Sequence, residues 1–76
     1  MDSLPVVKPK KVINALIRGD FYLHHQTGSH ARLVHRIKSD IRVTVPVHSK
    51  DIPRGTLKRI IKQADLTVEE FLQLLN

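Results

Sequence analysis

Apolar and polar positions repeat along this chain with two different periods, and the changeovers between them divide it into helices and strands. From Pro9 the spacing is helical, with Val12, Ile13, Leu16 and Ile17 sharing one side while Lys8, Lys10, Lys11 and Arg18 stay in water. Pro9 suits the first helical position, Gly19 suits the C-terminal close, and Arg18 in the last turn complements the helix dipole. The period then drops to two. Phe21, Leu23 and His25 fall on one side of a strand, and Tyr22, His24 and Gln26 on the other. Thr27-Gly28 joins it as a hairpin to a second strand from about Ser29 to Ile37, with Gly28 supplying the permissive backbone of a tight connection. On that second strand Ala31, Leu33 and Ile37 face one way, while His30, Arg32, Val34 and Arg36 face the other. After a turn at Lys38-Ser39-Asp40, a third strand from Ile41 to Val45 buries Ile41, Val43 and Val45 and exposes Arg42 and Thr44. Pro46 ends it, since proline cannot continue a ladder.

Helical spacing returns after a connecting loop over Val47 to Ile52. A second helix starts between Pro53 and Thr56, close in sequence to His48 and Ser49, with Leu57, Ile60, Ile61 and Ala64 packing inward and Arg54, Lys58 and Lys62 forming a basic row. Thr67-Val68-Glu69-Glu70 is a capping-box pattern flanked by Leu66 and Phe71 as a hydrophobic staple, and it opens a short third helix bearing Val68, Phe71, Leu72 and Leu75. Residues 1 to 7 have no period, and only Val6 and Val7 offer packing there.

Three short antiparallel strands need a cover for their apolar side, and the helices are the only candidates. The order α-β-β-β-α-α therefore gives an α+β fold, a two-layer sandwich with the helices on one face of a three-stranded antiparallel sheet, as a single domain over residues 1–76. The uncovered face would display Tyr22, His24, Gln26, His30, Arg32, Arg36, Arg42 and Thr44. A core this small leaves no room for a deep enclosed pocket, so no small-molecule cofactor is expected.

Charge sharpens the picture. Thirteen Lys and Arg stand against seven Asp and Glu, a formal net charge of +6, which points to a polyanionic partner. The absence of cysteine removes disulfides, thiol nucleophiles and Cys-based zinc sites, and it fits a reducing interior. No run is long enough to span a bilayer, and Met1-Asp2-Ser3-Leu4-Pro5 lacks the order of an export signal. A soluble cytoplasmic protein with no membrane partner is the expectation.

Candidate chemistry rests on five histidines. Alternation sends His24 and His25 to opposite faces and no carboxylate lies near them in sequence, so no metal site is expected. His30 is set apart by its arginine neighbours. In metal-independent RNA cleavage the 2′-hydroxyl attacks the adjacent phosphorus, so protons must move and phosphoryl charge must be stabilised; an imidazole can do the first and guanidinium groups the second. Ser29 is a poor nucleophile candidate, because its neighbouring histidine points to the other face and no carboxylate orients it. Arg32, Arg36 and Arg42 either hold phosphates or form a solvated face, and the residues alone leave both readings open. With Phe21 and Phe71 in the core, Tyr22 is the one platform for an unstacked base, so backbone charge should dominate binding.

Three blocks in order carry a family resemblance: Phe21 to His30, with its Gly28-Ser29-His30 element; Val43-Thr44-Val45-Pro46-Val47-His48; and Gly55 to Ala64. Over about residues 9 to 75 the chain resembles the HicA family of toxins. The resemblance implies a fold like the double-stranded RNA-binding domain and a toxin that cleaves mRNA without ribosome or metal, silenced by a HicB antitoxin. It implies His30 as the catalytic histidine, with Gly28 and Ser29 shaping the turn before it; on the reading of charge and faces, Ser29, Arg32, Arg36, Arg42, His24 and Lys58 are the expected RNA contacts. The chain departs from the family pattern at Asp20, where glycine is more frequent before the aromatic, and at Lys8, where a serine-like cap is common. Two rival classes share the fold: a non-catalytic RNA-binding module, and a protein-interaction domain whose basic face meets an acidic partner.

Overall fold

The change of period corresponds to a change of layer. In the computed structural model, which describes residues 4–48 and 50–76, the order is α1 (Pro9–Arg18), β1 (Phe21–Gln26), β2 (His30–His35), β3 (Arg42–Pro46), α2 (Arg54–Gln63) and α3 (Val68–Leu74). The strands form one antiparallel sheet in the order β1-β2-β3. This is the α-β-β-β-α-α sandwich expected from the pattern.

The core lies between the sheet and the helices. Ala31, Leu33, Val43 and Val45 from the sheet meet Val12, Ala15 and Leu16 of α1, Leu57, Ile60 and Ile61 of α2, and Phe71 of α3, with Phe21 at the corner. Among the described residues no polar or charged side chain is buried, so every titratable group is left at or near the surface. The segment before α1 is better anchored than its lack of period implied. Leu4 and Val7 are buried, and Val7 makes an isolated antiparallel bridge to Ile52, whose N–H donates to the Val7 carbonyl at 2.9 Å. Ser49, beside the start of α2 in sequence, lies outside the described residues.

Helix ends follow local chemistry. At α3 the Thr67 hydroxyl accepts from the Glu70 N–H at 3.1 Å and the Glu70 carboxylate accepts from the Thr67 N–H at 2.8 Å, a complete capping box. At α1 Lys8 occupies the N-cap with no side-chain cap, and Pro9 follows at the first helical position. Both α1 and α2 close through an aspartate in the left-handed region, Asp20 at φ 73° and Asp65 at φ 60°. At α2 the Leu66 and Asp65 N–H groups donate back to the Ile61 and Lys62 carbonyls at 3.2 and 3.1 Å, the Schellman pattern. Gly19 does cap α1, but the left-handed residue is its neighbour Asp20, the position where the family pattern favours glycine.

The strict alternation breaks in two places, and the hairpin differs from its expected chemistry. β1 carries a bulge between Leu23 and His25: Leu23 stands opposite Leu33, but His25 stands opposite Arg32 and Gln26 opposite Ala31. An extra residue reverses the facing of everything after it. His25, expected on the core side, therefore moves to the open side, and Gln26 moves the other way. β2 ends at His35, and Ile37, expected in the core, is 79% exposed. The cause is local: His35 Nδ1 accepts the N–H groups of Ile37 and Lys38 at 3.1 and 3.0 Å, which bends the chain out of the strand. That bond places the neutral ring's proton on Nε2, and the ring packs edge-on against Phe21 with centroids 5.1 Å apart. Finally, Gly28 has no positive φ, and a Cβ there would meet nothing within 4 Å, so the hairpin does not depend on glycine's freedom.

Candidate functional site

Pairing across the sheet arranges the open face in rungs. Arg32 stands between His25 and Thr44; Val34 stands between Tyr22 and Arg42; and His30 lies opposite Pro46 at the hairpin end. With ~3.3 Å per residue along a strand, the Tyr22, Val34, Arg42 rung lies roughly 13 Å from His30.

The hairpin between β1 and β2 fixes His30. The Thr27 N–H donates to the His30 carbonyl at 2.9 Å, and the Thr27 hydroxyl accepts the His30 N–H at 3.2 Å and lies 3.3 Å from the same carbonyl. A threonine side chain thus doubles the backbone closure and sets where the histidine leaves the turn. Next to it, Ser29 Oγ lies 3.0 Å from His30 Nδ1. The alternation argument had these two side chains diverging; the bend of the turn instead brings them together. A hydroxyl both donates and accepts, so Ser29 can hold the ring whether Nδ1 is protonated or not, leaving Nε2 for other partners.

His25, Thr27, His30, Arg32 and Thr44 line one open depression of about 340 Å³. All five are exposed. The depression therefore joins two imidazoles, one guanidinium and two hydroxyls, and no carboxylate lines it. Such a set can exchange protons and neutralise an oxyanion. Elsewhere among the described residues, no three His, Cys, Asp or Glu side chains gather to hold a metal ion.

The other expected contacts spread out from this centre. His24, at the bulge, sets its ring 6.1 Å from that of Tyr22, edge to face. Arg42 lies at the far rung and its Nε donates to the Ser39 carbonyl at 3.4 Å. Arg36 is past the end of β2, anchored by its own N–H to the Asp20 carbonyl at 2.7 Å. Lys58 belongs to the exposed side of α2, whose Leu57, Ile60 and Ile61 face the core, so it stands on the helical layer away from His30. Val34 shares the open face but is only 6% exposed and lies outside the main core cluster, a small apolar floor among the polar groups.

His48 lies apart. It shares a second groove of about 540 Å³ with Lys8, Lys10, Lys11, Asn14 and Val47 at the start of α1. Sequence reasoning missed three of the five groups that line the depression. Thr44 was placed on this face without a role, His25 was sent to the wrong one by unbroken alternation, and Thr27 was read only as part of a turn. For His25 no local signal announces the bulge; for Thr27, a threonine three residues before a strand's first residue is the recognisable side-chain turn.

No helix among the described residues is long and apolar enough to cross a membrane. Comparison with known families matches residues 9–66 to the family described as HicA toxin of bacterial toxin-antitoxin. Comparison with curated proteins gives no match.

Proposed function

The chain belongs to the HicA toxin family, and from that premise we propose that it is a metal-independent endoribonuclease that cleaves mRNA in the cytoplasm, with His30 as a catalytic histidine and a HicB-like antitoxin as its silencing partner. The observation that carries this reading is the exposed His30 ring, held at Nδ1 by Ser29 and sharing its depression with Arg32. Single-stranded RNA laid across the open face would bring a phosphate to that depression. His30 then exchanges a proton with the attacking 2′-hydroxyl or with the leaving 5′-oxygen, and Arg32 neutralises charge on the phosphoryl oxygens. Arg42 and Arg36 hold the RNA further along, with Tyr22 and His24 beside them. Lys58 stands off this path, on the helical layer.

The test uses purified protein, a long single-stranded RNA and a chelator. Wild type is expected to give discrete products, and His30→Ala is expected to lower the rate by about 10²- to 10⁴-fold, the usual contribution of general acid–base catalysis, with the circular dichroism spectrum unchanged. Full residual activity in the variant would remove His30 from the mechanism. Salt-sensitive RNA binding with no product from wild type would favour the non-catalytic module instead.

The basic face also suits an antitoxin, since an acidic partner surface could cover His30 and pair with Arg32 and Arg36. Binding of that kind would inhibit by occlusion.

A further inference from the structure

We propose that His25 is the second proton-transfer group of this site, so that cleavage runs on a pair of imidazoles set on neighbouring strands. The inference rests on the ribonuclease reading and adds to it a group that plain strand alternation places on the other side of the sheet.

The bulge in β1 is the decisive feature. By taking up one residue between Leu23 and His25, it puts His25 directly opposite Arg32 and on the open face. His30 is two residues before Arg32 on β2, so His25 and His30 are diagonal neighbours across a strand pair, a relation that separates backbones by roughly 7–8 Å. Both rings line the same depression. That separation leaves room for a phosphoryl group between two rings that each reach about 3 Å to a proton they exchange. Arg32, directly opposite His25 and two residues along β2 from His30, is placed to meet the charge that develops on the non-bridging oxygens.

The other histidines lack this placement. His24 lies against the Tyr22 ring. The Nδ1 of His35 is taken by two backbone N–H groups and its ring packs on Phe21. His48 lines the separate groove with the α1 lysines. Around His25 the titratable and charged groups are His24 on its own strand and His30 and Arg32 on β2, while β3 contributes the uncharged Thr44.

The chemistry balances without any further reactant. One neutral imidazole takes the proton of the 2′-hydroxyl as its oxygen bonds to phosphorus. The phosphorus–5′-oxygen bond breaks, and the second ring, protonated beforehand, gives its proton to the departing oxygen. The products are a 2′,3′-cyclic phosphate and a 5′-hydroxyl end. The two rings have exchanged protonation states and reset through solvent.

The experiment compares wild type, His25→Gln and His30→Ala. Initial rates on a single-stranded RNA are followed across roughly pH 5 to 9, the range in which imidazoles titrate. The expected wild-type kcat/KM profile is bell-shaped; His25→Gln loses one limb and about 10²-fold in kcat while KM holds. A His25→Gln enzyme that keeps both limbs and stays within about threefold of the wild-type rate overturns the pairing while leaving the ribonuclease reading intact. Wild type that yields no product at any pH overturns both.

Discussion

The two ends of the open sheet face are built from the same three strands and differ in how their side chains are held. At the hairpin end His25, His30, Arg32 and Thr44 stand exposed around a depression, and the ring of His30 is steadied by a short local contact to Ser29. At the far end the floor is nearly buried Val34, flanked by Tyr22 and Arg42. There the Arg42 side chain is tied to the Ser39 carbonyl, and the backbone of Arg36 is anchored to the Asp20 carbonyl. The contrast teaches a division of labour. Solvated titratable groups suit proton exchange, whereas a tethered cation on the same rung as an aromatic ring suits holding a strand of phosphates and bases.

The sharpest way to break that contrast is to remove one arginine from each end. Arg32→Ala should lower kcat by about 10²-fold, the scale of losing one donor to a developing oxyanion, with a smaller change in KM. Arg42→Ala should leave kcat in place, raise KM, and reduce the salt slope of RNA binding by about 0.7, the value for one phosphate contact to a single strand. Rate measurements at saturating RNA, paired with binding across a salt series, separate the two. Equal effects on kcat from both variants would mean the face has no catalytic end.

A smaller effect is expected at Ser29. Its hydroxyl contact to His30 Nδ1 orients the ring, so Ser29→Ala should lower kcat by roughly 2- to 10-fold, the equivalent of one ordinary hydrogen bond, with KM unchanged. Ser29→Thr keeps the hydroxyl and should restore most of the rate. A Ser29→Ala variant whose loss appears in KM alone would show that the hydroxyl touches RNA rather than the ring.

The same two ends show how far a pattern of residues reaches. The core was legible because Val12, Leu16, Leu33, Val43, Val45, Leu57, Ile60 and Phe71 repeat with the period of their own element, while Ile17 and Leu23 on the same apolar sides stay 46% and 44% exposed at its margin. Thr67 and Glu70 were legible because a capping box is a contact between residues three apart. What escaped was set by irregularity. The bulge that turns His25 outward costs one register step and leaves no mark in composition. The exposure of Ile37 depends on an imidazole two residues earlier that captures its N–H. Leu4 is buried because Arg54, fifty positions on, donates its Nε to the Leu4 carbonyl at 3.0 Å, and because Val7 bridges Ile52. Of the candidate site, His30, Ser29 and Arg32 could be named from the sequence, but the company they keep could not.

The smallest expected effect probes the far end alone. Asp20 holds φ 73° at the close of α1, and its carbonyl accepts the Arg36 N–H at 2.7 Å, so this one residue both turns the chain into β1 and anchors the segment after β2. An L-residue in the left-handed region is held against a steric cost that glycine does not carry, although aspartate tolerates it better than most. Glycine also gains freedom in the unfolded chain, which offsets part of the relief. Asp20→Gly should therefore raise unfolding free energy by about 0.5 kcal/mol, and Asp20→Val, β-branched and without a local hydrogen-bonding group, should lower it by about 1–2 kcal/mol. Urea unfolding with a common m-value measures both. Because this residue sits at the far end of the sheet, neither substitution should change the pH profile of cleavage; a shifted profile would mean that strain at the far end is transmitted to the hairpin, and that the two ends are one unit.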